Sequence, residues 1–346
     1  MKIILALLML CIIILVHEFG HFIIAKANGI EVKEFFVGIG PNIYSKTVNG
    51  TKYSLKVFPF GGACVFVDPE AEEEQIEQCS YEKASVYSRI ATVLAGPLFN
   101  FLFAFLCSLF VIADTGISGT VISEVAKDSP AFRADIQAGD EILKVNNSRV
   151  YMYGEIVMET MTNKGEPMNL LVKRGNEKSK VTTTPEYDEE YERNMLGVTF
   201  DGRGRKPNPI ETIQYSFYNV RYWIKLTVKS IQMLFGGQAK LDDLSGPVGV
   251  TQAVGEVYDS ASNYGVMAII YSMLDMTILI SANLGVMNLL PFPAIDGGKL
   301  VFLIIEAVTK KRVNRKIEGA INFVGMLLLF GLMILVLFND ITKIFR

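Results

Sequence analysis

The chain has 346 residues, half of them hydrophobic, and a formal net charge of −3. A charge this close to neutral gives no indication of a nucleic-acid-binding protein. The four cysteines have no paired spacing and two lie in apolar segments, which argues against a disulfide framework or a cysteine-rich zinc site; they are Cys11, Cys64, Cys79 and Cys107.

Four apolar segments are long enough to cross a bilayer, which takes ~20 residues. They cover about residues 3–27, 86–113, 266–290 and 321–338. Lys2 and the first apolar run resemble a signal peptide, but we expect the segment to be retained, because its removal would delete the motif described next. Asp275 lies inside the third segment, where it marks either a tilted turn or a polar contact with a neighbouring helix.

The only two histidines, His17 and His21, lie four residues apart in the first apolar segment. A helix carries positions i and i+4 on one face, so both imidazoles can reach one metal ion. Glu18 stands next to His17, where it can act on a water bound to that metal. Ionisable residues at membrane depth are costly and indicate a functional site. The pattern therefore predicts a zinc hydrolase buried in a bilayer.

The region between the second and third apolar segments is mostly polar. Residues 119–200 carry short β-like runs, with a helix-opening Ser129-Pro130 and a Gly139-Asp140 turn before an apolar strand, which favours a small β-sandwich with one or two helices. Residues 210–235 interleave aromatic and basic residues at helical spacing. We expect an amphipathic helix along the membrane surface, with packing on the preceding domain as the alternative.

A catalytic zinc usually has three protein ligands, and the chain has no third histidine. The ligand must then be a carboxylate or a thiolate from membrane depth. The best candidate is Asp296, which follows Pro291 and Pro293 at the end of the third apolar segment, because broken backbone at that depth is tolerated only where it lines a cavity or is buried in protein. Asn288, before the prolines, can hydrogen-bond the substrate backbone or the reacting oxygen. The alternative is a helix terminator, with Asp296 capping the next helix.

The distribution of lysine and arginine predicts the topology. Residues 310–316 form a basic cluster between the third and fourth segments, which indicates a cytoplasmic loop. Four spans then place both termini and residues 114–267 outside the cytoplasm. The loop 28–85 falls on the cytoplasmic side, although its lysines are matched by the acidic run Glu70–Glu77.

The motifs together resemble the site-2 proteases, which are intramembrane zinc metalloproteases, including their bacterial regulator-of-sigma-E type. The resemblance covers nearly the whole chain, and residues 119–150 are similar to the PDZ domain of bacterial members, with Asp135 where glycine is usual. Its motifs are His17–His21, Gly38–Pro41, Pro59–Gly62, Ala95–Asn100, Ser245–Gly249 and Asn288–Gly298. The implied fold is a polytopic α-helical membrane protein with four transmembrane helices and one extracytoplasmic PDZ-like α+β domain.

The resemblance implies that His17, His21 and Asp296 bind Zn²⁺ and that Glu18 is the general base. The substrates would be transmembrane segments of single-span proteins in the lipid bilayer, such as an anti-sigma factor or remnant signal peptides. Beyond these, Asn288, Gly61, Gly62 and Asn100 are candidate substrate-binding residues. Gly61 and Gly62 belong to a hairpin that would bind an extended substrate by strand addition, unless they form only a tight turn. Asn100 is otherwise a helix–helix contact.

The expected organisation is a multi-pass protein of the cell membrane with its active site towards the cytoplasmic side. In chain order it comprises the first span (1–27), a loop with a membrane-dipping hairpin (28–85), the second span (86–113), the PDZ-like domain (114–205), an amphipathic connector (206–265), the third span with the proline motif (266–309), and the basic loop with the fourth span (310–346).

Three other functions compete with a protease. The chain is alternatively a membrane-anchored PDZ scaffold with a non-catalytic metal site, a metal transporter, or a zinc hydrolase of another membrane substrate such as a lipid-linked peptide. Glu18 argues against the scaffold, since metal binding alone does not need it. The absence of a second set of intramembrane charges argues against the transporter. The PDZ-like domain either captures new carboxyl termini or excludes substrates with bulky outer domains, and the resemblance favours exclusion.

Overall fold

The computed structural model describes residues 2–67, 79–200, 205–237 and 246–344. The acidic run Glu70–Glu77 and Ser245, which the sequence singled out, lie outside the described residues. The chain forms two compact units, one made of Met1–Cys107 with Thr227–Arg346 and the other of Ser108–Leu226.

In the described part of the chain, four helices are long and apolar enough to cross a membrane. They are α1 (Lys2–Ala27), α3 (Val86–Thr115), α8 (Val266–Leu289) and α10 (Arg315–Ile344). The expectation of a polytopic membrane protein is thereby confirmed. The fourth helix begins six residues before the expected Ile321, because the polar residues after Arg315 already continue its helix.

The remaining helices of the first unit are shorter. They are α2 (Ser80–Lys83), α7 (Pro247–Ser262) and α9 (Asp296–Thr309), with α6 (Pro209–Phe235) shared between the two units. The buried residues Ala6, Met9 and Ile13 of α1 pack with Val254 of α7. At the N-terminus of α7, the amides of Gly246 and Gly249 donate to the buried carboxylate of Asp340 in α10, at 3.1 and 2.8 Å.

Asp275 lies inside α8 and is exposed. It has no hydrogen bond or ion pair with any residue that the structure describes. Of the two interpretations that the sequence left open, a polar contact with a neighbouring helix is therefore not seen in the described part of the chain.

The loop after α1 folds into a bent antiparallel hairpin of β1 (Glu34–Val48) and β2 (Thr51–Val65). Residues 34–37 of β1 pair on one side with residues 52–55 and on the other with residues 62–65. The last four residues of β2 are therefore an edge strand: one of their edges pairs with β1, and the opposite edge is not paired within this sheet.

The second unit combines short strands with two short helices. These are β3 (Ile122–Val125), α4 (Pro130–Arg133), β4 (Glu141–Val145), β5 (Ser148–Arg149), α5 (Tyr153–Met161), β6 (Met168–Arg174), β7 (Glu177–Thr183), β8 (Glu186–Asp188), β9 (Arg193–Met195) and β10 (Val198–Phe200). The main sheet has the strand order β5-β4-β6-β7. Its core contains the fully buried Ile142, Ile156 and Leu170. As the sequence predicted, Pro130 begins α4 and the Ser129 side chain caps it by accepting from the amide of Phe132.

Asp135, which replaces an expected glycine, has the left-handed backbone that favours glycine, with φ of 56°. Arg174 donates to the Asp135 carbonyl at 2.5 Å and lies 3.4 Å from its carboxylate. The same guanidinium binds Asp140 and holds the pKa of that carboxyl below its usual range. These contacts explain how the turn forms without glycine.

Within the second unit, the first half of α6 packs on the PDZ-like domain. Arg221 and Lys225 form ion pairs with Glu155 and Glu159 of α5 at 2.6 and 2.9 Å, and Tyr218 stacks on Tyr151. These two basic side chains are engaged by protein carboxylates. In this half of the helix, the structure shows the packing that the sequence left as the alternative to a membrane-surface position.

Candidate active site

Three potential metal ligands converge where α1 meets the start of α9. His17 and His21 are buried on one face of α1, with their Nε2 atoms 3.2 Å apart. Asp296 Oδ2 lies 3.0 Å from His17 Nε2 and 3.1 Å from His21 Nε2. Ligands about 2.0–2.1 Å from a tetrahedral zinc lie about 3.3 Å from one another. The three atoms therefore already have the spacing of a zinc site.

Hydrogen bonds to the opposite ring nitrogens orient both histidines. His21 Nδ1 donates to the backbone carbonyl of Thr92 at 2.8 Å, which leaves the Nε2 lone pair for a metal. His17 Nδ1 lies 3.2 Å from the side-chain amide nitrogen of Asn100.

One atom of the Asn100 side chain lacks the hydrogen bond that a metal-bound His17 could supply. Its Oδ1 is buried and has no hydrogen-bond partner among the described residues. A His17 that binds metal through Nε2 carries its proton on Nδ1. Rotation of the amide would place Oδ1 opposite that proton and give the orphaned oxygen a donor. The pair thus fits a metal-bound His17.

Glycines allow α3 to approach the histidines closely. A Cβ at Gly96 would lie 2.5 Å from His21 Cε1 and 2.8 Å from His17 Cε1, so no larger residue fits there without displacing a ring. On the facing helix, a Cβ at Gly20 would lie 2.5 Å from the Ala95 carbonyl oxygen. Pro97 follows within α3 and removes one helical hydrogen bond.

Asp296 reaches the histidines because the chain unwinds between α8 and α9. Ala294 has a left-handed backbone with φ of 74°, and its amide donates to Asn322 Oδ1 of α10 at 3.2 Å. Pro293 packs against Gly325 of α10, where a Cβ would lie 2.8 Å from the Pro293 carbonyl oxygen. Asp296 is the first residue of α9, but Ile295 holds the N-cap position and no side chain caps this helix. The carboxylate of Asp296 points at both histidines instead, so the capping alternative is wrong.

The Glu18 side chain contacts the edge strand of the hairpin and lines the same cavity as the three potential ligands. Its Oε2 accepts a hydrogen bond of 3.0 Å from the backbone amide of Cys64. Its Cγ would lie 3.6 Å from a Cβ placed on Gly62, so the side chain runs along this edge. The hairpin and the proposed general base are therefore in direct contact.

The triad and Glu18 line one cavity of about 690 Å³. Residues 63–67 form part of its wall, and Asn288 lines it without a hydrogen-bond partner among the described residues. The cavity continues to a charged wall, where the buried Arg89 forms an ion pair of 2.5 Å with Glu306, and Arg312 contacts Glu306 and Glu82.

The structure thus brings His17, His21, Asp296, Glu18 and Asn288 to one cavity, with Gly62 beside Glu18. Gly61 turns the chain before the edge strand with φ of 76°. Asn100 is fully buried against His17.

The sequence did not predict three contacts of this site: those of the Thr92 carbonyl, the Cys64 amide and Arg89. The Thr92 carbonyl and the Cys64 amide are backbone groups, which a sequence pattern does not reveal. The sequence offered two signals for the charged wall: Arg89, a charge at the start of an apolar helix, and the basic cluster at residues 310–316.

Comparisons with known proteins agree with this geometry. The sequence profile described as peptidase family M50 matches residues 5–332. The chain belongs to this family. It is 33% identical over 344 residues to a candidate zinc metalloprotease of Clostridium acetobutylicum, covering 99% of this chain and 97% of that protein. It is 29% identical to the zinc metalloprotease RasP of Geobacillus kaustophilus and 26% identical to the regulator of sigma-W protease RasP of Bacillus subtilis, with 95% of each chain covered in both cases.

A solved PDZ domain from an SdrC-like protein of Listeria monocytogenes is also similar to part of the chain. It matches 24% of this chain and 88% of its own length, at 19% identity and a TM-score of 0.23.

Family membership confirms the resemblance drawn from the motifs. The protein is a multi-pass intramembrane metalloprotease, and its cofactor is zinc. The scaffold and transporter alternatives are thereby set aside.

Proposed function

We propose that this M50 protease cleaves transmembrane segments of single-span membrane proteins, with Glu18 as the general base. The observation that carries the proposal is the cavity that joins His17, His21 and Asp296 to Glu18 between apolar helices. Anti-sigma factors and remnant signal peptides are the substrate classes expected from the family resemblance and from the regulatory name of the Bacillus subtilis relative.

His17, His21 and Asp296 would hold the zinc ion. When bound, zinc lowers the pKa of a coordinated water and polarises the peptide carbonyl. Glu18 accepts the proton of the attacking water and delivers it to the leaving amine, so one carboxylate serves both proton transfers. The Thr92 carbonyl and Asn100 hold the two histidine rings in place, which assigns Asn100 a positioning role in addition to the proposed substrate contact.

The substrate helix must unwind before cleavage, since helical hydrogen bonds protect its backbone. The outer edge of residues 62–65 pairs with no other strand in the described part of the chain, which supports binding of the unwound segment by strand addition. Gly61 lets the hairpin turn, and Gly62 lets its edge strand approach the Glu18 side chain closely. Asn288 lines the same cavity, and its side-chain amide has no hydrogen-bond partner among the described residues, which suits it to hold a backbone group of the substrate.

We infer that the basic loop at residues 310–316 faces the cytoplasm and that the PDZ-like domain faces outward. The cavity then opens towards the cytoplasmic side, since Arg312 and Arg315 lie in its wall. The ion pairs of Arg312 and Arg315 with Glu82 support this arrangement by tying the loop to α2.

The PDZ-like domain has a groove of about 340 Å³ between α5 and residues 193–200. Such a groove suits a peptide terminus, while a folded domain outside the membrane also obstructs substrates with bulky outer parts. We propose the second role, as the family resemblance favours it.

The test of the proposed function compares the membrane proteomes of cells that carry the native chain or Glu18→Gln. Membrane-embedded stubs of single-span proteins should accumulate with Glu18→Gln and disappear with the native chain. Identical proteomes would contradict the proposal.

A further inference from the structure

We propose that the backbone amide of Cys64 is a shared donor that holds Glu18 in the free enzyme and passes to the substrate strand on binding. Glu18 is thus retained on the edge strand until a substrate takes its place. This inference rests on the proposed function, because it concerns how a peptide substrate reaches that same site.

The first step is the direction of the Cys64 amide. Cys64 pairs with Phe35, and its neighbours Ala63 and Val65 pair with Phe36 and Glu34 in unbroken antiparallel register. In such a ladder, successive residues direct their amide and carbonyl groups alternately towards the partner strand and away from it. The Cys64 amide donates to Glu18, so it points away from β1. By the same alternation, the groups of Gly62 point to this edge as well.

The second step is that Glu18 occupies the position of an added strand. Its carboxylate accepts from Cys64, and its Cγ lies beside Gly62, two residues away along the same edge. A peptide that extends the sheet must offer a carbonyl to an outward-pointing amide such as that of Cys64. The Cys64 N–H forms a strong hydrogen bond with only one acceptor at a time, so the peptide carbonyl and the Glu18 carboxylate compete for it.

The third step is the consequence for catalysis. A carboxylate that accepts a charge-assisted hydrogen bond is stabilised in its place. When a substrate carbonyl takes over the Cys64 amide, the Glu18 carboxylate loses this partner and becomes free to turn towards the attacking water. Binding of an extended peptide then releases Glu18 in the same step. Without a peptide, Glu18 stays on the Cys64 amide even when water occupies the site.

The experiment measures binding to two inactive full-length variants in detergent micelles, Glu18→Ala and Glu18→Gln. The probes are a hydrophobic tripeptidyl hydroxamate, which binds zinc and extends along the strand, and acetohydroxamate, which binds zinc alone. Dividing the affinity of the tripeptidyl hydroxamate by that of acetohydroxamate cancels zinc binding and leaves the contribution of peptide pairing with the edge strand. Alanine removes the competing acceptor and glutamine keeps it, so we expect this ratio to be about fivefold higher in Glu18→Ala, the net effect of one hydrogen bond.

The matched control replaces the amide of Cys64 by an ester, which removes the N–H and keeps the side chain. In this background the two variants should give the same ratio. Hydrogen exchange at Cys64 provides a second measurement: its amide should exchange faster in Glu18→Ala than in Glu18→Gln, and the peptidyl hydroxamate should restore protection.

Equal ratios in the two variants with an intact amide, or a difference that persists in the ester background, would overturn the shared-donor proposal. Cleavage of membrane segments by the native chain is scored separately. A native chain that cleaves while the ratios are equal refutes only the shared donor, whereas a native chain that cleaves no membrane segment refutes the proposed function.

Discussion

The side-chain amide of Asn100 lies 3.2 Å from Nδ1 of His17, across the contact between α3 and α1. A polar residue in a transmembrane helix commonly joins two helices. Here it also orients His17, a proposed metal ligand, so the proposal links the packing of these helices to zinc binding.

Replacing Asn100 by alanine should weaken zinc binding and cleavage by about 10–100-fold, as observed for residues that orient metal-bound histidines. The Asn100→Asp variant keeps an acceptor for the His17 proton and should retain more zinc than Asn100→Ala. Zinc content after dialysis against a graded chelator measures both. Native zinc affinity in Asn100→Ala would refute the positioning role.

Gly96→Ala should displace the histidine rings, because its Cβ would lie within 2.8 Å of both. We expect at least a tenfold loss of zinc affinity and activity in a protein that still inserts. Gly331→Ala in α10 is the matched control, since a Cβ there meets nothing within 4 Å. Zinc titration of the two purified variants gives the comparison. Equal zinc affinities of the two variants would show that α3 shifts to accommodate the added methyl group, and would contradict the prediction.

The inferred topology can be checked with single cysteines at Ser148 and Asn314, in a chain whose four native cysteines are replaced. An impermeant thiol reagent should label position 148 in intact cells of a single-membrane host, and position 314 only after lysis. Equal labelling of both positions in intact cells would contradict the four-span arrangement.

Deletion of residues 119–200 removes no proposed zinc ligand or base. If the PDZ-like domain excludes bulky substrates, the shortened enzyme should still cleave its normal substrate and also accept proteins with large outer domains. A reconstituted assay with one helix bearing a short or a large outer segment measures this. A sharp fall in normal cleavage without new substrates would instead indicate capture of substrate termini.

The sequence predicted the parts of this protein that local chemistry determines. The four spans follow from runs of apolar residues, and His17, Glu18 and His21 lie on one helix, so their spacing suffices. Asp296 is 275 residues from His21, yet two prolines in an apolar segment marked it, because broken backbone at that depth needs a reason.

The contacts that the sequence did not predict depend on tertiary packing. The Thr92 carbonyl accepts a hydrogen bond from His21 on α1, one turn from Gly96, where α3 lies close to the histidine rings. Arg221 and Lys225 in the first half of α6 could contact either lipid headgroups or protein carboxylates. Both cases give the same helical spacing in the sequence, so the sequence did not distinguish them. Asp135 stands in a glycine position and contacts Arg174, which lies 39 residues away in the sequence, so this contact was not visible from local spacing.

The most direct test of the central claim is a paired measurement of zinc content and peptide-bond cleavage on purified native enzyme, Glu18→Gln and Asp296→Asn. The native chain should bind one zinc per chain and cleave a transmembrane segment. Glu18→Gln should keep its zinc and lose activity by at least ~10²–10⁴-fold, since one carboxylate serves both proton transfers. Asp296→Asn should lose both zinc and activity while remaining inserted. Cleavage at the native rate by Glu18→Gln, or full zinc occupancy and activity in Asp296→Asn, would contradict the assignment of base and ligand.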